Sequence, residues 1–561
     1  MPAGTEAART YAEALDAVRR FDDTRAADLF KSVEALDPTF ALAYAEDAAT
    51  LARMGRDEDA RATARRGLEL AAGLPREARL WVEATYHAAA GERDAAARKY
   101  QALFTFFPDN VDYAVSLLHY TSIGGHPKDT LAEIARLRAT SPAIADDPRV
   151  GLEEARAAHM SSDYDHALRA AIVARKTADE RGMRLVYERL GYYEGIARNN
   201  LGHPEEGLRV LEESDHLARA LGDAYTANMI ARPMAYAYVA RGDVARARTV
   251  ASRARDESAA RGDTYHATSS AEQLAAFDVL QGDVEGGLHG LTEAIAFYRA
   301  AHEPHALSGG LPDLAVVVAA QGDPAGAEAI ANEGIEVARS NGRKTMEAAG
   351  DLALAYVARL RRDAATEARH EAEALALYQT AQSRSGEAEV RRATGEQALY
   401  AGELGRARTE LEGSLGIDEA LGNQLGAADT RTILARVALE EGHAADAEVL
   451  ARASLAVFER AEAASRRAMA LAVLARASVA QGASDGGEAL AHEAETLATT
   501  DVAARLRTRL DCARARTRSS AGGAARAELR AVEQAATAAH HEEIADEARR
   551  LLALEARSAI R

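Results

Sequence analysis

At 561 residues the chain exceeds what one compact core supports, so it holds either several domains or a stacked array. Lys and Arg number 68 against 87 Asp and Glu, a net charge of −19 that argues against non-specific nucleic-acid binding and against an anionic membrane surface. The single cysteine, Cys512, excludes an intramolecular disulfide and a cysteine-based zinc site.

Met1 to Arg20 is polar and charged, without the apolar run of a signal peptide. The longest apolar stretch, Leu314 to Ala320, is far too short to span a bilayer. The expectation is a cytoplasmic protein. Turn residues near Phe21, Gly55, Gly91 and Gly125 lie 34, 36 and 34 residues apart, which predicts a first array of helical hairpins over 1–140. Ser141-Pro142 and Asp147-Pro148 then interrupt the helical pattern, and the period changes. A second, longer array in 40-residue units is expected over 146–523.

From position 182 to 482 a turn slot recurs every 20 residues, and glycine fills twelve of the sixteen slots. The other four hold His302, Arg362, Gln382 and Glu462. A helix of about 16 residues plus a turn of about four fits that half-period, with glycine supplying the positive φ that closes the helix. A period of 40 built from two helices is the signature of an α-solenoid. Pro233 falls inside one predicted helix and Gly309-Gly310-Leu311-Pro312 inside another, where each should bend or delay it. The last second helix and a capping helix, the latter from about Glu542 to Ile560, are expected over 524–561. The fold read from this is all-α, a solenoid of about fourteen hairpins with a C-terminal capping helix.

Three columns of small residues stay in phase with the period. One runs Ala155, Gly195, Ala235, Ala275, Ala315, Ala355, Gly395, Ala435, Ala475, Ala515. A second runs from Ala167 to Ala527 with Glu367 as its one large member, and a third from Ala174 to Ala494. Small side chains at fixed places on both helices let two backbones approach closely. These columns resemble the small-residue positions of the tetratricopeptide repeat. Gly242-Asp243-Val244-Ala245-Arg246-Ala247 is similar to that family's turn and second helix, and Pro38 and Pro108 stand where it often ends a helix. Segments such as Asp37-Pro38-Thr39-Phe40 and Gly73-Leu74-Pro75-Arg76 also resemble repeat regions attached to bacterial serine/threonine kinases and to maltose-regulator-type transcription activators. That resemblance implies signalling or regulatory assembly.

No catalytic motif emerges: there is no phosphate-binding loop, no nucleophile elbow and no zinc-protease pair. His302-Glu303-Pro304-His305 comes nearest to a metal site, but its spacing is wrong for a helical pair, so neither metal nor cofactor is expected. The family resemblance implies that first helices line an inner surface. The residue after the first small column would then face the groove, and there Arg436, Arg476 and Arg516 recur at one period. Three stacked guanidinium groups suit carboxylates or phosphates. A second candidate patch holds Tyr192, Tyr193, Asn199, Asn200, Asn228, Arg232 and Tyr236, residue types suited to gripping a peptide. The expectation is a non-enzymatic scaffold or regulatory adaptor whose groove holds a protein or peptide segment, acidic or C-terminal in character. The alternative is a module that senses a peptide or small metabolite.

Overall fold

The computed structural model describes residues 2–20, 22–497, 499–517 and 522–558. Phe21 and Ile560, named above as a turn and a helix end, lie outside them. Four hairpins come first: α1 (Thr5–Arg19) with α2 (Asp23–Leu36), α3 (Ala41–Arg53) with α4 (Asp57–Glu69), α5 (Arg76–Ala89) with α6 (Arg93–Phe106), and α7 (Val111–Ile123) with α8 (Pro127–Thr140). A four-residue helix, α9 (Pro142–Ala145), occupies the proline-marked break. The long array follows as α10 (Pro148–Met160), α11 (Tyr164–Glu180), α12 (Arg184–Asn200), α13 (Pro204–Leu221), α14 (Ala224–Ala240), α15 (Val244–Ala260), α16 (Thr264–Gln281) and α17 (Val284–Ala300). It continues through α18 (Pro304–Ala320), α19 (Pro324–Ser340), α20 (Lys344–Leu360), α21 (Ala364–Thr380), α22 (Arg384–Ala401), α23 (Leu404–Ala420) and α24 (Gln424–Glu440). Its last members are α25 (Ala444–Arg460), α26 (Ala464–Ala480), α27 (Ser484–Thr496), α28 (Val502–Thr517), α29 (Gly522–Ala538) and α30 (Glu542–Ser558). The described residues contain no strand and form an all-α solenoid of fourteen hairpins with a final helix.

The turn register explains why each helix stops and the next one starts. All sixteen slots from 182 to 482 have positive φ, including His302, Arg362, Gln382 and Glu462 at 53–59°. Ser162, one step earlier, adopts φ 57° as well. Such a residue turns the chain so that the following N–H reaches back five residues, as Glu403 does to the Ala398 carbonyl at 2.9 Å. That following residue then caps the next helix. Asp283, Asp323 and Asp363 accept from the N–H three residues on at 3.0, 2.9 and 3.1 Å, and Ser383 and Asn423 do likewise. An L-residue in the left-handed region costs about 1 kcal/mol that glycine avoids. Gln382 is exposed, so Gln382→Gly is expected to raise stability by about 0.5–1 kcal/mol, read as a higher urea midpoint at unchanged slope.

The small columns do the packing. Ala155, Ala315, Ala435 and Ala475 are fully buried, and a Cβ at Gly195 or Gly395 would lie 2.5 or 2.6 Å from Leu211 or Leu411 Cγ. Equivalent glycines two hundred residues apart therefore serve the same contact. Glu367, the exception, is buried with Arg359 Nε at 4.0 Å, and burial pushes its carboxyl up to about 7. Neither expected disruption breaks its helix: Pro233 lies within α14 and Pro312 within α18. Pro312 is buried, and Gly334 of α19 leaves room beside its ring. Tertiary packing thus outweighs one lost backbone bond.

The chain packs as two compact units, residues up to 234 with 250–270, and 235–249 with 271–561. In the first, Arg189 of α12 donates to Asp23 of α2 at 3.1 Å and to Asp223 at 2.7 Å. A Cβ at Gly55 would meet Asp263 at 2.6 Å. In the second, elements about 180–220 residues apart touch along a regular line. Thr500 Oγ1 accepts from the Val284 N–H at 2.8 Å, so it satisfies an orphan donor at the start of α17. His541 Nε2 lies 3.1 Å from the Ala320 carbonyl, and Gln281 donates to Glu462 at 3.0 Å. Successive turns of the solenoid are therefore in contact within this unit.

Candidate functional site

In the second unit the first helices of different hairpins are joined by a cluster of ion pairs. One 40-residue step separates Glu396 of α22, Arg436 of α24 and Arg476 of α26, so stacking places them in a row. Across from them stands α28, which brings Arg507, Asp511 and Arg514. Asp511, 1% exposed, is the centre of the arrangement. Arg476 Nη1 donates to it at 2.6 Å, and Arg436 Nε lies 3.4 Å away. Arg476 also donates to Glu440 at 2.8 Å, and Arg514 reaches that carboxylate at 3.0 Å. Arg507 donates to the Tyr400 hydroxyl at 2.9 Å and to Glu547 of α30 at 2.5 Å. Arg514 is the second donor to Glu547, at 2.8 Å. Arg359 pairs with Glu396, which also accepts from the Tyr400 hydroxyl at 3.1 Å.

Burial raises the Asp511 carboxyl, but Arg436, Arg476 and Arg507 outweigh burial and hold it below the usual carboxylate range. The Glu396 and Glu440 carboxyls are lowered in the same way by their arginines, and Glu547 is held far below that range by Arg507, Arg514 and Arg436. Five arginines (359, 436, 476, 507, 514) thus face four ionised carboxylates (396, 440, 511, 547), with Glu367 at the margin beside Arg359. The guanidinium groups are thereby taken up by the chain's own carboxylates through oriented, charge-assisted hydrogen bonds.

The structure brings Arg436 and Arg476 together through Asp511, and they are only 6% and 8% exposed. Arg516 lies apart from them, held by Glu488 and Glu495 of α27 at 2.9 and 2.6 Å. Members of the tyrosine–asparagine patch fall in both units. Tyr192 packs edge-on against Tyr193 with ring centres 4.9 Å apart. Asn199 Oδ1 is buried and fills the space a side chain at Gly207 would need. Arg232 donates to the Ser269 hydroxyl at 2.8 Å and its carbonyl at 3.1 Å. Asn228 is 3% exposed, and its amide is satisfied when Nδ2 donates to Glu257 at 2.8 Å and Oδ1 accepts from Arg261. Tyr236, in the second unit, is 40% exposed with its ring 6.5 Å from that of Phe277. Sequence reading missed Arg359, Arg507, Asp511, Arg514 and Glu547: they carry no motif, and Arg514 comes 38 rather than 40 residues after Arg476 because α28 starts 38 residues after α26.

Among the described residues one cluster has metal-ligand composition: Asp351, His370 and Glu373. Arg369 lies 2.9 Å from His370 Nε2 and can only donate. The imidazole proton therefore sits on Nδ1, facing Asp351 at 2.9 Å, where a metal would require it gone. His302, in the other His-containing stretch, forms a positive-φ turn, and Pro304 starts α18. Among the described residues no helix is long and apolar enough to cross a membrane.

No protein-family model matches this chain, and no curated protein sequence does either. Among solved structures it is similar to BtubC from P. vanneervenii at 16% identity and a TM-score of 0.32, over 38% of this chain and 90% of that one. It is also similar to a chain of the APC/C hetero-tetramer Cut9–Hcn1 at 13% identity and a TM-score of 0.39, over 85% of this chain and 96% of that one. Likeness at that level carries no argument, and the class of the protein, an α-solenoid, rests on its own helices and turn register.

Proposed function

We propose that this protein is a non-enzymatic interaction scaffold of the cytoplasm that holds an acidic protein segment against the arginine-lined inner face of its second unit. The observation that supports the reading is Glu547: a helix-borne carboxylate is received there by two guanidinium groups, from Arg507 and Arg514. The net charge of −19 favours protein over nucleic acid as the partner. Burial pushes the Glu367 carboxyl up to about 7, while neighbouring arginines hold those of Glu396, Glu440, Asp511 and Glu547 low, so these four stand ionised against their arginines.

The test is capture of binding proteins from native lysate on the intact chain, with cross-links mapped by mass spectrometry. The expected result is a partner that is held at low ionic strength, released by salt, and cross-linked through an acidic segment to residues of α24–α30. Retention of no protein, together with thermal stabilisation by a peptide or small metabolite, would replace the scaffold with the sensing module.

A further inference from the structure

Helix α30 is more than an end cap. A cap covers the last hairpin, and α30 does so, setting Ile544, Ala545 and Ala548 against Leu529 and Val532 of α29. Its other face is acidic. Asp546 pairs with Arg362 of the α20–α21 turn, and Glu547 accepts from Arg507 and Arg514. Arg362 is one of four non-glycine residues in a series where glycine is the rule, and it keeps φ 59° at that slot. Its side chain reaches a helix 184 positions further on, so the strain it carries coincides with a contact to α30.

We propose that the bed beneath α30 is an exchangeable docking site for an acidic amphipathic helix, which α30 fills in the resting chain and a partner's helix fills in its place. The partner segment would carry small apolar residues on one face and paired acids one turn apart on the other, as Glu542-Glu543 and Asp546-Glu547 stand on α30. The bed specifies its occupant in two ways. Leu506, Leu510, Leu529 and Val532 form its apolar half, met on α30 by Ile544 with the small Ala545 and Ala548, and its ionic contacts are guanidinium pairs that any helix with matching acids satisfies. The proposal rests on the scaffold reading for its biological purpose, but it is tested separately from that reading.

The probe is a fluorescein-labelled synthetic peptide of residues 539–558, titrated by anisotropy into the full-length chain. The double variant Asp546→Asn/Glu547→Gln, which weakens the resident helix, is expected to bind the wild-type peptide at least tenfold more tightly than the wild-type chain does. A peptide carrying Glu547→Gln should lose at least tenfold in affinity for that variant, and salt should weaken the wild-type peptide's binding. Equal or absent binding by both chains, with the variant's circular dichroism unchanged, would overturn the proposal. If the variant does not fold, hydrogen exchange of the wild-type chain decides. Amides of α30 exchanging at least tenfold faster than those of α24 and α26 support exchange of the helix. Exchange in step with α24 and α26 means that α30 leaves only when the unit unfolds, and the proposal fails. Lysate capture can fail while the peptide binds, so the two readings fall separately.

Discussion

Asp511→Ala is expected to cost about 3–5 kcal/mol, because it leaves the buried guanidinium groups of Arg436 and Arg476 without their shared counter-charge. The chain carries its own reporter for this. Cys512 is the neighbouring residue and the only cysteine, fully buried with Sγ 3.6 Å from the Ala491 carbonyl. In a stacked array the loss opens nearby repeats before distant ones, so thiol labelling at Cys512 should accelerate by more than about a hundredfold. Arg516→Ala makes the control. Its partners Glu488 and Glu495 are solvent-accessible, and removing such a pair should cost no more than about 1 kcal/mol. Comparable labelling rates in the two variants would mean that Asp511 does not hold the inner face together. The pH dependence carries a definite sign. Asp511 and Glu547 have carboxyls lowered by folding, so their contribution is complete above the unfolded value near ~4 and is lost as pH falls through the folded values. The gap between wild type and Asp511→Ala should therefore narrow on acidification below about pH 4.

Much of the architecture could be read from one periodic signal. Glycine marks a backbone requirement rather than a contact, so its spacing survives changes in everything around it. Two of its exceptions have reasons that only the folded chain reveals. Arg362 reaches Asp546, and Glu462 accepts from Gln281, each across about 180 residues of sequence. Ser162 escaped notice because serine at such a turn carries no distinctive signature. The candidate site was legible only in part. Arg436 and Arg476 recur at the period and could be found, whereas their common partner Asp511 does not recur. Which residue faces Arg436 across the inner face depends on how tightly the solenoid winds. That winding is a sum of small rotations over many hairpins, set by volume at every small-residue column, and no local motif encodes it. The split of the predicted arginine row has a local origin. Arg516 keeps the 40-residue spacing in sequence, but α28 starts 38 residues after α26, so Arg514 takes the place in its helix that Arg436 and Arg476 hold in theirs, and Arg516 turns to acids on α27.

Gly322→Ala is expected to be far more damaging than the same change at Gly402, although both occupy the same slot of the repeat. At Gly402, φ is 80° and an added Cβ meets nothing within 4 Å, so the substitution should cost only the left-handed strain, about 1 kcal/mol. Gly322 has φ 97°, and its Cβ would stand 2.7 Å from the Ala539 carbonyl oxygen and 3.4 Å from that residue's Cα. Backbone cannot rotate away as a side chain can. Either the α18–α19 turn or the α29–α30 turn must move, with loss of the His541 contact to the Ala320 carbonyl. The combined cost should approach about 3 kcal/mol, strain plus overpacking. Urea midpoints give the difference in cost, and hydrogen exchange in residues 541–548 locates it, with faster exchange expected for Gly322→Ala alone. Equal losses at the two glycines would show that the two turns do not rest on each other. The contrast separates what a repeat needs for itself from what it needs because another turn of the solenoid lies against it. Only the first of these requirements is written in the period.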